Sequence, residues 1–254
     1  MDDPVLWSLP MIGLIGGFLS GLLGLGGGVV LLPLLTWVGK VPLRVATGTT
    51  LVQVMIAAAT GWIAHYRGGM VNLSMGLVLG ISGVAGGLVG SFLSVYLSIR
   101  VLEFIFLFVV GGAIALLFAQ GKLYDDPHPR EGFDFNKVLG SSIGFGVGSL
   151  TGLLGVGGGF VVIPLMIRCL GLPLRVAIGT SLMAIFISSV GTLVVKYNIG
   201  QVHLLITLLV ISGSTVGAWT GAYVSRRTPV DLLRMSLLTM LALIFLVVGY
   251  KVIL

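Results

Sequence analysis

Gly21-Leu22-Leu23-Gly24-Leu25-Gly26-Gly27-Gly28 recurs 131 residues further on as Gly152-Leu153-Leu154-Gly155-Val156-Gly157-Gly158-Gly159, and this pair decides how the chain is read. At the same offset Pro33 returns as Pro164. Pro42-Leu43-Arg44-Val45-Ala46-Thr47-Gly48-Thr49-Thr50 returns as Pro173-Leu174-Arg175-Val176-Ala177-Ile178-Gly179-Thr180-Ser181. Between 21–50 and 152–181, 17 of 30 positions are identical without a gap. Shared hydrophobicity alone would not keep Pro, Arg, Gly and Thr in register, so the chain is a duplication. Each glycine cluster lies inside an apolar stretch. Glycine is about 1 kcal/mol less favourable than alanine in a helix, so Gly24–Gly28 and Gly155–Gly159 predict unwound backbone. At membrane depth such backbone is tolerated only where protein buries it or where it lines a wet cavity.

The rest of the composition places those stretches in a bilayer. Of 254 residues, 57% are hydrophobic and 9% charged, with a mean hydropathy of +1.16. Soluble domains carry about 25% charged residues; so few charges cannot cover a globule of this size in water, and a water-soluble fold is excluded. The formal charge is +6, from 14 basic and 8 acidic residues. Most of the cations stand at segment ends, where they face lipid headgroups. No basic run exists outside the apolar segments, which argues against nucleic acid. Cys169 is the single cysteine, so an internal disulfide is ruled out, and the thiol is expected to be inert packing. The opening Met1-Asp2-Asp3-Pro4 lacks the basic n-region of a signal peptide, so the first apolar stretch is taken as mature structure.

Apolar stretches run over 9–38, 45–65, 72–98, 101–119, 138–167, 174–195, 202–225 and 230–254. A helix needs about 20 residues to cross the hydrocarbon core. Six stretches fit one crossing each, while 9–38 and 138–167 are too long for one. The expected fold is an all-α polytopic membrane protein of two homologous four-segment repeats, 1–119 and 138–254, joined by a polar linker at 120–137 that contains His128. The two long stretches are glycine-broken helices or re-entrant hairpins. With hairpins each half crosses three times and the repeats are inverted; without them, each crosses four times and the repeats are parallel. Charge favours hairpins. They gather Arg67, Lys122, Arg130, Lys137, Arg168, Arg175, Arg226, Arg227 and Arg234 on one face, leaving Lys40, Arg44, Arg100, Lys196 and Lys251 on the other. The richer face is then cytoplasmic.

Unwinding at the clusters leaves the amides of the following half-helix, from Val29 or Phe160 onward, free to face an anion with the positive dipole end. Close helix packing through small residues is the alternative. Arg44 and Arg175 fall in the first turn after a proline, where a cation needs an anionic partner, either a headgroup or a substrate oxyanion. Thr49, Thr50, Thr180 and Ser181 follow, with hydroxyls for a substrate or for the carbonyl four residues back. Gln53, with Ala184 at the matching site, needs a partner inside the membrane, as interhelical glue or as a ligand donor. His65 and His203 are the proton-coupling candidates, although interfacial anchoring is the plainer reading of His65-Tyr66-Arg67 and Lys196-Tyr197-Asn198. Gly13, Gly17 and Gly21, repeated as Gly144, Gly148 and Gly152, and Gly76, Gly80, Gly83, Gly87 and Gly90 form packing seams. No carboxylate falls in mid-membrane, which disfavours cation substrates. No metal ligand set, cofactor site or nucleophile–base pair is present, so no enzyme is expected.

At its duplicated Gly-x-Gly-Gly-Gly and Pro-x-Arg-x-Ala-x-Gly-Thr motifs the chain resembles the TauE/SafE family of sulfite and organosulfonate permeases, over nearly its whole length. The resemblance implies a multi-pass permease of the bacterial or archaeal inner membrane that moves sulfite, sulfoacetate or related sulfur oxyanions. The matching positions are Gly26, Gly27, Gly28, Gly48, Thr49, Gly157, Gly158, Gly159, Gly179 and Thr180. Their role as substrate ligands, with Arg44, Thr50, Gln53, Arg175 and Ser181, rests on the physical argument above. The expected function is secondary transport of a small anion by alternating access; an anion channel or a non-transporting scaffold subunit are the alternatives. The expected partners are that anion and the bilayer, with a homodimer left open.

Overall fold

The computed structural model describes residues 3–119, 135–198 and 202–253, without the side chains of 3–7, 43, 44, 99 and 251–253. Most of the expected linker, 120–134 with His128, lies outside the described residues. The described chain forms ten α-helices: α1 Asp3–Leu23, α2 Gly28–Trp37, α3 Leu43–Tyr66, α4 Leu73–Tyr96, α5 Ile99–Ala119, α6 Lys137–Leu154, α7 Gly159–Leu170, α8 Leu174–Asn198, α9 Leu204–Arg227 and α10 Val230–Ile253. Seven of them are long and apolar enough to cross a membrane. From α2 onward in the first half, the starts at 28, 43, 73 and 99 return at 159, 174, 204 and 230, each 131 residues later. So the expected four segments per half are five helices, because the glycine cluster splits the first stretch in two.

The breaks fall where the composition demands them. Gly24, Gly26 and Gly27 adopt φ of 73°, 77° and 74°, and Gly155 and Gly157 adopt 69° and 74°. L-residues with a Cβ reach this left-handed region at a cost of about 1–2 kcal/mol. With 10 residues α2 is about 15 Å long and with 12 α7 is about 18 Å, half a bilayer core each.

Contacts fix the direction of each helix. Gly27 lies against the carbonyl of Gly16, and Leu31 and Leu35 of α2 join Leu9 and Ile12 of α1 in one apolar cluster. The α2 helix therefore turns back along α1, making a hairpin. Gly13, Gly17 and Gly21 of α1 meet the carbonyls of Val210, Ser214 and Ala218, so α1 and α9 run the same way. Gly144, Gly148 and Gly152 of α6 meet those of Leu79, Gly83 and Gly87, so α4 and α6 do as well. Gly61 meets Leu182 while Gly179 meets His65, so α3 and α8 are antiparallel. Each helix of the second half thus runs opposite to its counterpart in the first, and we infer that the halves are inverted copies. Both chain ends then emerge on one face.

The glycine seams hold these helices together. Carbonyls of the facing helix leave no room for a Cβ at Gly13, Gly17 and Gly21 of α1 or at Gly144, Gly148 and Gly152 of α6, and such backbone approach is the usual means of membrane helix association. The closest pairs, α1 with α9 and α4 with α6, join opposite halves, so neither half packs as a separate body. At the centre, Val54 and Ile185, which are offset counterparts, both pack beneath Gly26. The pseudo-twofold axis passes between them.

Candidate functional site

The two glycine turns meet at that axis: Gly28 contacts the carbonyl of Val156, and Gly159 faces the carbonyl of Gly24 and the Cα of Leu25. The space between them is filled by Val54 and Ile185, so the expected polar hollow between the clusters is absent there. Polar groups gather instead on one flank, between α1, α2, α3 and α9.

Gln53 is the centre of that flank. Its side chain is fully buried, its Nε2 donates to Ser214 Oγ at 2.8 Å, and its Oε1 has no hydrogen-bond partner. Glycine at two positions admits it: a Cβ on Gly16 would stand 3.8 Å from the Gln53 Nε2, and one on Gly27 3.2 Å. One turn beyond Gly16 on the same face of α1, Ser20 is fully buried and its hydroxyl is also unpartnered. Thr50, one turn before Gln53 on α3, has an unpartnered buried hydroxyl too. The α2 helix starts here, after its N-cap Gly27; the Val30 and Leu31 amides donate to the Gly27 carbonyl, and those of Gly28 and Val29 have no intrahelical acceptor. Gln53 therefore meets the start of a half-helix, with the unpartnered hydroxyls of Ser20 and Thr50 about one helical turn away along α1 and α3. A buried unsatisfied polar atom is unfavourable by about 1–3 kcal/mol, and a ligand relieves that.

The matching flank of the second half has lost this chemistry. Val147 stands in place of Gly16, Ala184 in place of Gln53, and Gly83 in place of Ser214. The Val147 Cγ1 occupies the space beside Gly158, and Thr151, counterpart of Ser20, donates to the Val147 carbonyl at 2.9 Å. One flank is polar, with buried atoms that lack partners; its twin is apolar and filled.

The other residues singled out from sequence divide plainly. Gly26, Gly28, Gly157, Gly158 and Gly159 shape the two turns. Gly48 is buried on α3, and Gly179 allows α8 to touch Met70 and His65. Thr49 Oγ1 accepts from Thr207 Oγ1 at 3.4 Å, and Thr180 Oγ1 accepts from the Asn72 amide at 2.9 Å, tying helices together. Ser181 donates to the Gly24 carbonyl at 2.9 Å and so holds the first turn. Arg175 is a correction. Its Nη1 donates to the carbonyls of Ser225 and Arg226 at 3.0 and 2.7 Å, and its Nη2 to that of Thr228 at 2.8 Å. It caps the carbonyl end of α9 and does not reach the central flank. Arg44 has no described side chain.

His65 and Lys196, matching positions, are buried and not interfacial anchors. His65 Nε2 donates to the Gly21 carbonyl at 3.0 Å. It lies 12 residues beyond Gln53 on α3, about 18 Å along the axis. His203 is exposed at the start of α9, 11 residues or about 16 Å from Ser214. Neither histidine reaches the site. Cys169 is exposed, not packed. A separate cleft of about 110 Å³ between α2, α5, α6 and α10 runs from Trp37 to Val29 and Val156 at the turns, with Glu103 on its wall. Ser20 and Ser214 were missed from sequence. The trace lay in the comparison of halves, since Gln53 against Ala184 and Ser214 against Gly83 are polar-for-small exchanges at the same offset.

The sequence profile described as Sulfite exporter TauE/SafE matches residues 9–248. The chain belongs to the TauE/SafE family. Like other members it is a multi-pass protein of the plasma membrane. It is 28% identical to Probable membrane transporter protein YunE of Bacillus subtilis, over 93% of this chain and 94% of that protein. It is also 28% identical to a Probable membrane transporter protein of Methanocaldococcus jannaschii, over 79% of each. Sulfite exporter TauE/SafE family protein 3 of Arabidopsis thaliana is 34% identical over 40% of this chain and 21% of that protein. No solved structure matches this TauE/SafE chain.

Proposed function

We propose that this membrane transporter is a secondary carrier of small sulfur oxyanions, sulfite or short sulfonates, with one binding site at the N-terminus of α2. The observation that carries this is Gln53: a fully buried amide with an unpartnered Oε1, held by Ser214 against Gly27 at the start of α2. The α2 amides, the Ser20 and Ser214 hydroxyls and the Gln53 Nε2 supply donors. The Gln53 Oε1 can only accept, so it suits an oxyanion that still bears a proton, or a water carried with the ion. A proton then travels on the substrate, since both histidines lie several turns away. Binding and release leave the ion chemically unchanged; the chain acts as a carrier and not as a catalyst.

Inverted repeats open to alternate sides when the two halves exchange conformations about their axis. Gln53 adjoins Val54 at that axis, so a bound ion sits near mid-depth and reaches either face over a similar distance. The packed centre favours this carrier reading over a channel, because Val54 and Ile185 close the direct path between the turns.

The test is uptake of labelled sulfite into liposomes holding the purified protein, with and without a pH gradient, alongside the Gln53→Leu variant. Saturable flux, accelerated by unlabelled sulfite on the far side and lost in the variant, is the expected result. No saturable flux for sulfite or any short sulfonate refutes the substrate class, and full flux in Gln53→Leu refutes the site.

A further inference from the structure

Among the described residues, Lys196 is the buried lysine that the transport site leaves unused. It is only 3% exposed, two residues before the end of α8, on the face that carries both chain ends. An ammonium has three donors. Here one of them meets Ser94 Oγ at 3.1 Å, and Lys196 has no other hydrogen-bond or ion-pair partner among the described residues. Ser94 in turn donates to the Ser91 carbonyl at 2.7 Å. The Ser91 hydroxyl is fully buried and unpartnered.

The seam between α4 and α8 brings these groups together. The two helices run side by side in the same direction, with Gly76 against Met183, Gly80 against Ile187, Gly83 against Ser188 and Gly87 against Thr192. One turn further on, the glycines give way to Ser91 and Ser94, and Thr192 gives way to Lys196. Small residues along the seam thus end in two serines on the face of α4 that meets Lys196, with Ser94 in contact with the cation. The C-terminal dipole of α8 favours a positive charge at this position, yet a partial charge does not satisfy two N–H donors. Buried ions in proteins are paired and hydrogen-bonded, or else they are strongly unfavourable. Within membrane segments such a group marks a substrate or ion path. What is missing around Lys196 is an acceptor bearing negative charge.

We propose that Lys196, Ser91 and Ser94 form a second anion-binding site, a station for the transported oxyanion on the face that carries the chain ends. The proposal takes from the preceding reading only that the cargo is a sulfur oxyanion. The second half supplies at its edge the charge that the first half lacks at its centre. His65, the counterpart of Lys196, donates to the Gly21 carbonyl instead and builds no such site.

Calorimetric titration of the purified protein with sodium sulfite tests this in the Gln53→Leu background, where the central site is removed. Sulfite still binds there, Lys196→Met weakens it by at least about tenfold, and Lys196→Arg restores it. Lys196→Met also keeps or raises the melting temperature without ligand, because an unpaired buried charge has been removed; a merely structural lysine would lower it. Binding within twofold of the parent in Lys196→Met, a lowered melting temperature, or failure of Arg to restore binding overturns the proposal. If wild type binds sulfite and Gln53→Leu does not, the second site is refuted while the central one stands.

Discussion

Gly16→Val copies onto the first half what the second half already carries at Val147. The substitution separates fold from function, because both halves share a backbone and differ in this filling. A Cβ at Gly16 would meet Leu31 Cδ1 at 3.1 Å, Leu31 Cβ at 3.5 Å and Gln53 Nε2 at 3.8 Å. The nearest atom ends a flexible side chain, so the site yields by a few tenths of an ångström. Replacing glycine in a helix gains up to about 1 kcal/mol, and each newly buried methyl about 0.8 kcal/mol. Overpacking opposes this by about 1–3 kcal/mol. The balance stays within about 2 kcal/mol of zero, so the protein still folds. Transport does not survive. The valine methyls press on Gln53 and Gly27 as those of Val147 press on Gly158, and the ion loses at least one charge-assisted hydrogen bond. That is about 1.5–3 kcal/mol, or roughly 10- to 150-fold in affinity. The assays are a thermal melt and the half-saturation of sulfite flux in liposomes. A folded Gly16→Val protein that moves sulfite with half-saturation within twofold of wild type refutes the idea that this flank is the site.

Three further outcomes follow from the same geometry. Gly27→Ala combines a left-handed backbone with a Cβ driven into the Gly16 carbonyl, so it lowers stability by about 2–5 kcal/mol in a denaturant or thermal titration. Arg175→Met frees three carbonyls at the end of α9 and lowers stability by at least about 1.5–3 kcal/mol, while the half-saturation of any flux that remains is unchanged; a shifted half-saturation returns Arg175 to the site. Cys169, exposed near the end of α7 on the basic face, reacts with a membrane-impermeant maleimide in opened membranes and not in intact cells; labelling of intact cells reverses the orientation.

The duplication and the helix breaks were legible because they rest on local rules. Four glycines in five residues unwind the helix at both places where the cluster stands, and a constant offset of 131 needs no coordinates. The seams were legible for the same reason, since Gly13, Gly17 and Gly21 share one face at helical spacing. Their partners were not, because a spacing names a face and says nothing about what covers it; that α1 lies on α9 and α4 on α6 depends on how the halves interlock. Arg175 misled. A cation in a first turn does lack a favourable dipole, but its partner is the partly negative carbonyl end of another helix, 50 to 53 residues away in sequence. The hydroxyls of Thr49, Thr180 and Ser181 were likewise legible as polar and illegible as to partner. Ser20 and Ser214 passed unnoticed because a serine inside an apolar helix most often bonds its own backbone. Only the packing shows that the Ser20 hydroxyl is left without a partner.

A neutral grip at the centre has a physical logic for a carrier. At an effective dielectric of about 20, a full charge 4 Å away contributes about 4 kcal/mol, and more where water is excluded. An ion held that way at mid-depth would be slow to leave. Amides, hydroxyls and the end of a short helix give smaller, separable contributions, and each is lost when α2 shifts against α3 and α9. On the proposed reading the closed centre fits this, because Val54 and Ile185 would have to part before an ion at Gln53 could change sides. The filled twin matters as well. Were both flanks polar, two ions would bind on either side of the axis and repel, and the exchange of conformations would no longer carry one ion through one position. On the proposed carrier reading, a chain that duplicates its backbone and fills one of the two flanks, with Val147 and Ala184, keeps the symmetry of its halves and offers the cargo one central site.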